Sequence, residues 1–205
     1  MKIGPKFKIA RRLGARIFPK TQTTKFTTST GGTSRGGGRG RPRALSDYGA
    51  QLIEKQKARY TYGLKEHQFA SYVKKARAAA GQNPVAALYS TLERRLDNVV
   101  FRLGLAPSRA FARQMVTHGH VVVNGRRVNV PSYQVKVGDK VGVREQSKGL
   151  GLFKSYEERT KDYRVPTWLS FDQAAKAGVL AAEPLKQDAD VDINFSSILE
   201  FYSRV

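Results

Sequence analysis

The sequence predicts an α+β protein: a discontinuous all-helical domain with a small module inserted into it, the module being two helices plus a small antiparallel sheet, and the whole preceded by a basic N-terminal extension. Three observations predict this. Apolar residues recur at helical spacing, on and off, from Tyr48 to Val116. After Gly119 the period drops to two, with valines alternating as far as Val143. The first 45 residues carry twelve basic side chains and no acid, and Gly31 to Gly40 holds six glycines. The expected boundaries are 1–45 for the extension, 46–89 with 165–205 for the helical domain, and 90–164 for the inserted module.

The extension is rich in Thr and Gly, buries little, and is expected to order only on a partner, because ordering it costs conformational entropy that few apolar contacts offset. Gly4, Pro5 and Gly14 argue against an amphipathic helix at its start. Ser46 or Asp47 can cap the first helix, whose stripe is Tyr48, Leu52 and Ile53 and whose end is Gly63. Lys55, Lys57 and Arg59 fall on its other side. A second helix is expected over 65–80, with Phe69, Tyr72, Val73 and Ala76 inward. Asn83-Pro84 reads as a cap and first helical residue, opening a short helix through Leu88. Ser90 and Glu93 have capping-box spacing, so a new helix is expected to begin there. Leu92, Leu96, Val99, Val100 and Leu103 form its buried stripe; Arg94, Arg95 and Arg102 lie off it.

Ser108 can cap a further helix, Arg109 to Thr117, on which Arg109 and Arg113 are four apart and share a face. His120 to Val123 reads as a strand, Asn124-Gly125 as a tight hairpin turn, and Arg126 to Val130 as the return, broken by Pro131. Val135 and Val137 alternate, Gly138-Asp139 turns, and Val141 and Val143 alternate again, giving three or four strands. Thr167 to Phe171 is a further strand. Ile198, Leu199 and Tyr202 mark a closing helix, expected to fold back onto the helices of 46–89 with the rest of the tail.

Charge narrows the function. There are 37 Lys+Arg against 16 Asp+Glu, a net charge of +21. A compact chain with that excess repels itself, and a polyanion is the usual compensation, nucleic acid before an acidic membrane. Residues 151–205 carry seven basic and nine acidic side chains, so the polyanion-facing surface belongs to the first three quarters. The absence of cysteine excludes disulfides and thiolate metal sites. No apolar run approaches the roughly 18 residues of a membrane span, and the N-terminus lacks the apolar segment of a signal peptide. His118 and His120 fall short of the three or four ligands a metal requires, with His67 far off in sequence. No serine–histidine–acid order, apolar carboxylate pair or strand-borne phosphate loop appears, so an enzyme is not expected. Asn-Gly serves the turn, but Arg126 and Arg127 after it are not required by the turn. Successive strand residues point to opposite faces, so at most one of the two serves a given surface, and with Arg109, Arg113 and His118 on the preceding helix it is expected to converge on a phosphate backbone.

The stretches LERRLDNVVFRLG (92–104), SRAFARQMVTHGH (108–120) and VNGR (123–126) resemble the small RNA-binding module named after small-subunit ribosomal protein S-four. SDYGAQLIEKQKARY (46–60), YGLKEHQF (62–69), RRLG (11–14), VPSY (130–133), PTWL (166–169) and DIN (192–194) are similar to the ribosomal protein family itself, bacterial or organellar in type. The resemblance implies a cytoplasmic, ribosome-bound protein that binds small-subunit rRNA at a multi-helix junction in the 5′ domain early in assembly. Carried over, its RNA contacts are Arg11, Arg12, Lys55, Lys57, Arg59, Arg94, Arg95, Arg102, Ser108, Arg109, Arg113, His118, His120, Asn124, Arg126 and Arg127. It implies that Arg39, Arg41 and Arg43 face the channel by which mRNA enters, and that ribosomal proteins S-three and S-five are neighbours, contact with S-five influencing decoding accuracy. Some members repress their own translation. Many bacterial members hold zinc with cysteines in the extension; this chain resembles the cysteine-free variety, with no cofactor and no membrane association.

Overall fold

The computed structural model describes residues 3–23, 26, 45–79, 81–151, 163–172, 175–185 and 192–204. The chain forms two compact units, 1–85 with 190–205, and 86–189.

The first unit is helical. Helix α1 (Lys6–Leu13) buries Ala10 and Leu13 and ends at Gly14, whose φ of +64° gives a left-handed C-cap. The expectation of no helix here is corrected: Pro5 stands at the N-cap, where no N–H is needed, and Gly14 ends the helix instead of interrupting it. Ile17, Phe18 and Phe26 complete a small core with α1, against Ile53 and Tyr60. The start of the basic segment is thus packed structure; residues 27–44, with most of its glycines, lie outside the described residues.

Helix α2 (Asp47–Thr61) is capped by Ser46, whose hydroxyl accepts the Gly49 N–H at 3.2 Å. Helix α3 (Glu66–Ala78) buries Phe69, Tyr72, Val73 and Ala76. The closing helix α7 (Phe195–Ser203) is capped by Asn194 and lies against α2 and α3. Phe201 meets Tyr48 and Tyr202 meets Phe69, with ring centroids 5.4 and 6.2 Å apart. Glu54 accepts the Asn194 N–H at 2.9 Å.

Helix α4 (Pro84–Glu93) spans the boundary between the two units. It runs unbroken through Ser90, contrary to the capping-box expectation. The Glu93 carboxylate is buried in bonds to Arg102 and Asn98, so it is not free to reach back to a cap. The break comes instead at extended Arg95, before α5 (Leu96–Arg102). Ser108 caps α6 (Arg109–Thr117), its hydroxyl accepting the Phe111 N–H at 3.2 Å.

The sheet of the second unit is antiparallel and five-stranded among the described residues, in the order β2-β1-β3-β5-β4. Its strands are β1 (Val121–Val123), β2 (Arg126–Arg127), β3 (Lys140–Val143), β4 (Leu169–Asp172) and β5 (Ala177–Leu180). One face packs with α5 and α6 around Leu96, Val99, Val100, Leu103, Met115, Val116, Val121, Val141 and Trp168. Residues 165–185, expected with the helices, belong to this unit: β5 pairs with β3 through Lys140↔Val179, and β4 closes the sheet. Gly178 permits it, because a Cβ there would collide with Leu103. Two strand expectations fail locally. Val135 and Val137 form no strand; Gln134 makes a single bridge to Arg95, and Lys136 turns at once, its N–H donated to Asp139 at 2.8 Å. The return strand is two residues long and stops well short of Val130.

Candidate nucleic-acid interface

Two carboxylates lie inside the second unit, and they decide which cations stay within it. Glu93 is fully buried; its oxygens accept the Arg102 Nε and Nη2 at 2.8 and 3.0 Å and the Asn98 amide at 2.8 Å. Asp97, also buried, takes the Arg95 Nε and Nη2 at 3.0 and 2.9 Å. The same carboxylate takes the Arg113 Nε and Nη2 at 2.9 and 2.7 Å. Burying an ion costs several kcal/mol, about offset here by paired, bidentate geometry. Arg95 and Arg102 are 1% and 2% exposed, so neither can face a phosphate, which corrects their place among the RNA contacts. Both lie off the apolar stripe, as their spacing predicts; what the sequence hides is that Glu93 and Asp97 fold inward with them.

Arg109 and Arg113 share one face of α6, as expected. Asn98 Oδ1 accepts Arg109 Nε at 2.7 Å, and the guanidinium stands 4.5 Å from the Phe101 ring centroid. Both side chains are held from behind by α5 while remaining half-buried at the surface. Arg94 donates Nε to the Val135 carbonyl at 2.9 Å and meets exposed Glu183 at 3.3 Å. Ser108 spends its hydroxyl on the helix cap. Asn124 holds the left-handed turn position, φ +49°, and its amide is used twice: Nδ2 donates to Asp139 and Oδ1 accepts the Lys140 N–H, both at 2.8 Å. Asn124 therefore staples two turns together at the exposed tip of the hairpin.

The hairpin cations are of another kind. Arg126, Arg127 and His118 are exposed. Arg127 pairs across from Val122, on the opposite face of β1 from buried Val121 and Val123. Its guanidinium lies directly over Gly119, where any Cβ would collide with it. Arg127, more than Arg126, is thus the hairpin arginine that meets the end of α6. The His118 and His120 rings are 6.1 Å apart between centroids, and His120 Nδ1 is 3.0 Å from Ser147 Oγ. Burial, then the charges of His118, Arg127 and Arg144, hold the His120 imidazole below its ordinary pKa. Among the described residues no group of three or more His, Asp or Glu side chains comes together as a metal site.

Arg144 was missed by sequence reasoning. The signal lay in register: Val121 pairs with Val143, so the next residue along β3 reaches His120, and the Arg144 N–H is donated to the His120 carbonyl at 2.9 Å.

Three of the candidate cations of the first unit, Lys55, Lys57 and Arg59, have acidic partners. Lys55, 7% exposed, pairs with Glu66 at 2.8 Å and lies 4.7 Å from the Phe201 ring, which corrects its place among the RNA contacts. Lys57 pairs with Glu54 at 2.6 Å. Arg59 lies 3.5 Å from Glu66 and over Tyr60. Arg11 and Arg12, in the last turn of α1, are exposed, with Arg11 5.8 Å from the Phe26 ring. Arg39, Arg41 and Arg43 lie outside the described residues.

A helix pair on a small sheet, with cations gathered where the second helix meets a hairpin, defines a polyanion-binding α+β module. Residues 94–141 match the family model of the S4 domain, and residues 1–93 that of the Ribosomal protein S4/S9 N-terminal domain. Relatives named small ribosomal subunit protein uS4 align nearly end to end. That of Roseiflexus castenholzii is 47% identical, and that of Chloroflexus aurantiacus 45%, each over 98% of both chains. The chain belongs to the ribosomal protein S4 family, the uS4 proteins of the small subunit. No helix among the described residues is long and apolar enough to cross a membrane.

Proposed function

We propose that the protein is a structural constituent of the small ribosomal subunit in the cytoplasm, which binds small-subunit rRNA and organises a helical junction of its 5′ domain during assembly. The observation that carries this reading is family membership over essentially the whole chain, at 45–47% identity to the uS4 relatives. The charge distribution supports it: His118, Arg126 and Arg127 at the α6–β2 corner are exposed, while Glu93 and Asp97 hold Arg102 and Arg95 inside. Arg109, Arg113, His118, His120, Arg126 and Arg127 make up the principal contact surface, with Arg94, Arg11 and Arg12 as further contacts. Lys57 and Arg59, each beside an acid as Arg94 and Arg113 are, complete the set. Arginine suits the task because its fork grips phosphate oxygens and its plane stacks on unpaired bases.

The test is a footprint of the full chain on small-subunit rRNA against a scrambled competitor. Protection confined to one 5′-domain junction, with log affinity falling by about 0.7–0.9 per phosphate contact for each tenfold rise in salt, is the expected result. Equal binding to scrambled RNA, or salt-independent affinity, overturns it. The same reading carries finer expectations: ribosomal proteins S-three and S-five as neighbours, an influence on decoding accuracy through S-five, and autogenous repression of translation. Arg39, Arg41 and Arg43 are proposed to line the channel by which mRNA enters. Arg41→Ala with Arg43→Ala should spare rRNA binding and weaken unwinding of structured mRNA by reconstituted ribosomes; unchanged unwinding removes this role.

A further inference from the structure

We infer that the corner where α6 ends against β2 is a proton-linked phosphate clamp, in which Arg127 supplies a fixed charge and His120, beside exposed His118, gains its own when an RNA phosphate docks. The inference rests on the rRNA-binding reading above and adds a regulation to it.

The corner is built, and not merely basic. Gly119 sits at φ +76°, a conformation L side chains rarely adopt, and its missing Cβ is the space the Arg127 guanidinium fills. Arg127 is therefore located by backbone, between residues 118 and 120, without help from any carboxylate among the described contacts. His118 is the C-cap residue of α6 and exposed. His120 is half-buried and anchored on both sides: its N–H is donated to the Met115 carbonyl at 3.0 Å and its carbonyl accepts the Arg144 N–H. Its Nδ1 lies against the buried Ser147 hydroxyl, which leaves Nε2 as the ring nitrogen for a phosphate oxygen.

The charged groups facing His120 are of one sign. His118 comes from the end of α6, Arg127 from β2, and Arg144 from the end of β3. The nearest acid in sequence, Glu145, is held by Lys148 at 2.6 Å. In the free protein this field, with partial burial, keeps the His120 ring neutral over more of the physiological range than an ordinary imidazole. A phosphate placed among these groups reverses the field, and a proton then joins the ring. By linkage, binding that takes up protons strengthens as pH falls, by at most about tenfold per pH unit for each proton. The structural alternative is that Arg127 only complements the α6 C-terminus, where a cation suits the dipole. That role affects melting and gives RNA affinity no imidazole-dependent pH slope.

The experiment measures affinity of the full chain for a 5′-domain rRNA fragment and a scrambled RNA at fixed ionic strength, between about pH 8 and about pH 6, the range in which histidine titrates. Wild type is expected to bind the rRNA fragment several-fold more tightly at the acid end. His118→Gln with His120→Gln should flatten the slope, while a loss uniform across the pH range is the contact these side chains make without a proton change. A flat wild-type profile overturns the clamp, as does a slope unchanged in the double variant, which assigns it to His67 or to the RNA. His120→Gln alone should lose most of the slope, which keeps the proposal testable even if the double variant folds poorly. Calorimetry of wild type in two buffers of different ionisation enthalpy counts protons directly; zero uptake also overturns the proposal. Equal affinity for scrambled RNA at every pH is a different failure, that of the rRNA reading itself.

Discussion

The arginines of α5 and those of the β1–β2 hairpin carry the same side chain and opposite duties. Arg95 and Arg102 are enclosed with Asp97 and Glu93 and fasten the helices around the α4–α5 break. Arg126 and Arg127 stand on a two-residue edge strand in solvent. What separates the groups is the presence of a buried carboxylate within reach, not local charge density or distance from the apolar stripe. Arg113 lies between the extremes: α6 presents it at the surface, yet Asp97 grips it from behind at 2.7 Å. A guanidinium held on one edge loses less rotamer freedom when its other edge meets a ligand.

The largest test of this contrast is Glu93→Gln. It leaves Arg102 buried without its counter-charge, and breaking a buried pair from one side costs about 3–5 kcal/mol. Denaturant unfolding should show that loss, whereas a change under about 1 kcal/mol would mean the pair behaves as a solvated one. Next comes Arg127→Ala. Its stability should stay within about 0.5 kcal/mol of wild type, as for a surface position. Its rRNA affinity should drop about ten- to a hundredfold, the worth of a charge-assisted phosphate contact. Arg102→Ala should show the reverse pattern, a large loss of stability with RNA affinity affected only through the folded fraction. If Arg127→Ala and Arg102→Ala behave alike, the two sets of arginines are not distinct. A smaller effect separates cap from contact at Ser108: Ser108→Ala should cost about 1 kcal/mol in unfolding and leave the affinity of the folded protein unchanged.

Helices and hairpin were legible because their signals are local. Ser46 and Ser108 cap where expected, Gly63, Gly104 and Gly119 take positive φ where helices end, and Asn124-Gly125 turns the hairpin. Most misreadings involve partners that the local pattern does not reveal. Ser90 and Glu93 have capping-box spacing, but Glu93 is claimed by Arg102 nine residues on. The strand at 169–172 was visible as a strand, yet its sheet was not: nothing in an alternating stretch says that β5 will join it to β3. α1 is the exception: its proline and glycine sit at its two ends, where they bound the helix instead of breaking it. Among site residues, helical spacing put Arg109 and Arg113 together, and chain adjacency put Arg127 near the end of α6. It could not tell Arg95 from Arg94, since solvation of a cation is settled by which carboxylates fold inward.

The first unit offers the mildest version of the contrast, and it is readable by pH. Glu66 is only partly buried, and it gathers Lys55 at 2.8 Å, Arg59 at 3.5 Å and the Tyr202 hydroxyl at 2.6 Å. Burial pushes its carboxyl pKa up, but the bonds from Lys55 and Tyr202 and the charges of Lys55 and Arg59 outweigh that and hold it below the usual value. Burial and the bond to Glu66 in turn push the Tyr202 phenol up, so it stays a donor. A depressed folded-state pKa stabilises the fold above the unfolded-state value and loses that contribution as pH falls through the folded-state one. The docking of α7 on α2 and α3 should therefore weaken only below about pH 4.5, the ordinary glutamate range. Glu66→Gln should remove that acid limb from the unfolding curve while leaving the histidine-range slope of RNA binding intact. Tyr202→Phe, which deletes one of the two bonds holding the carboxylate down, should move the limb toward higher pH; a limb that stays in place would show that Lys55 and Arg59 set it.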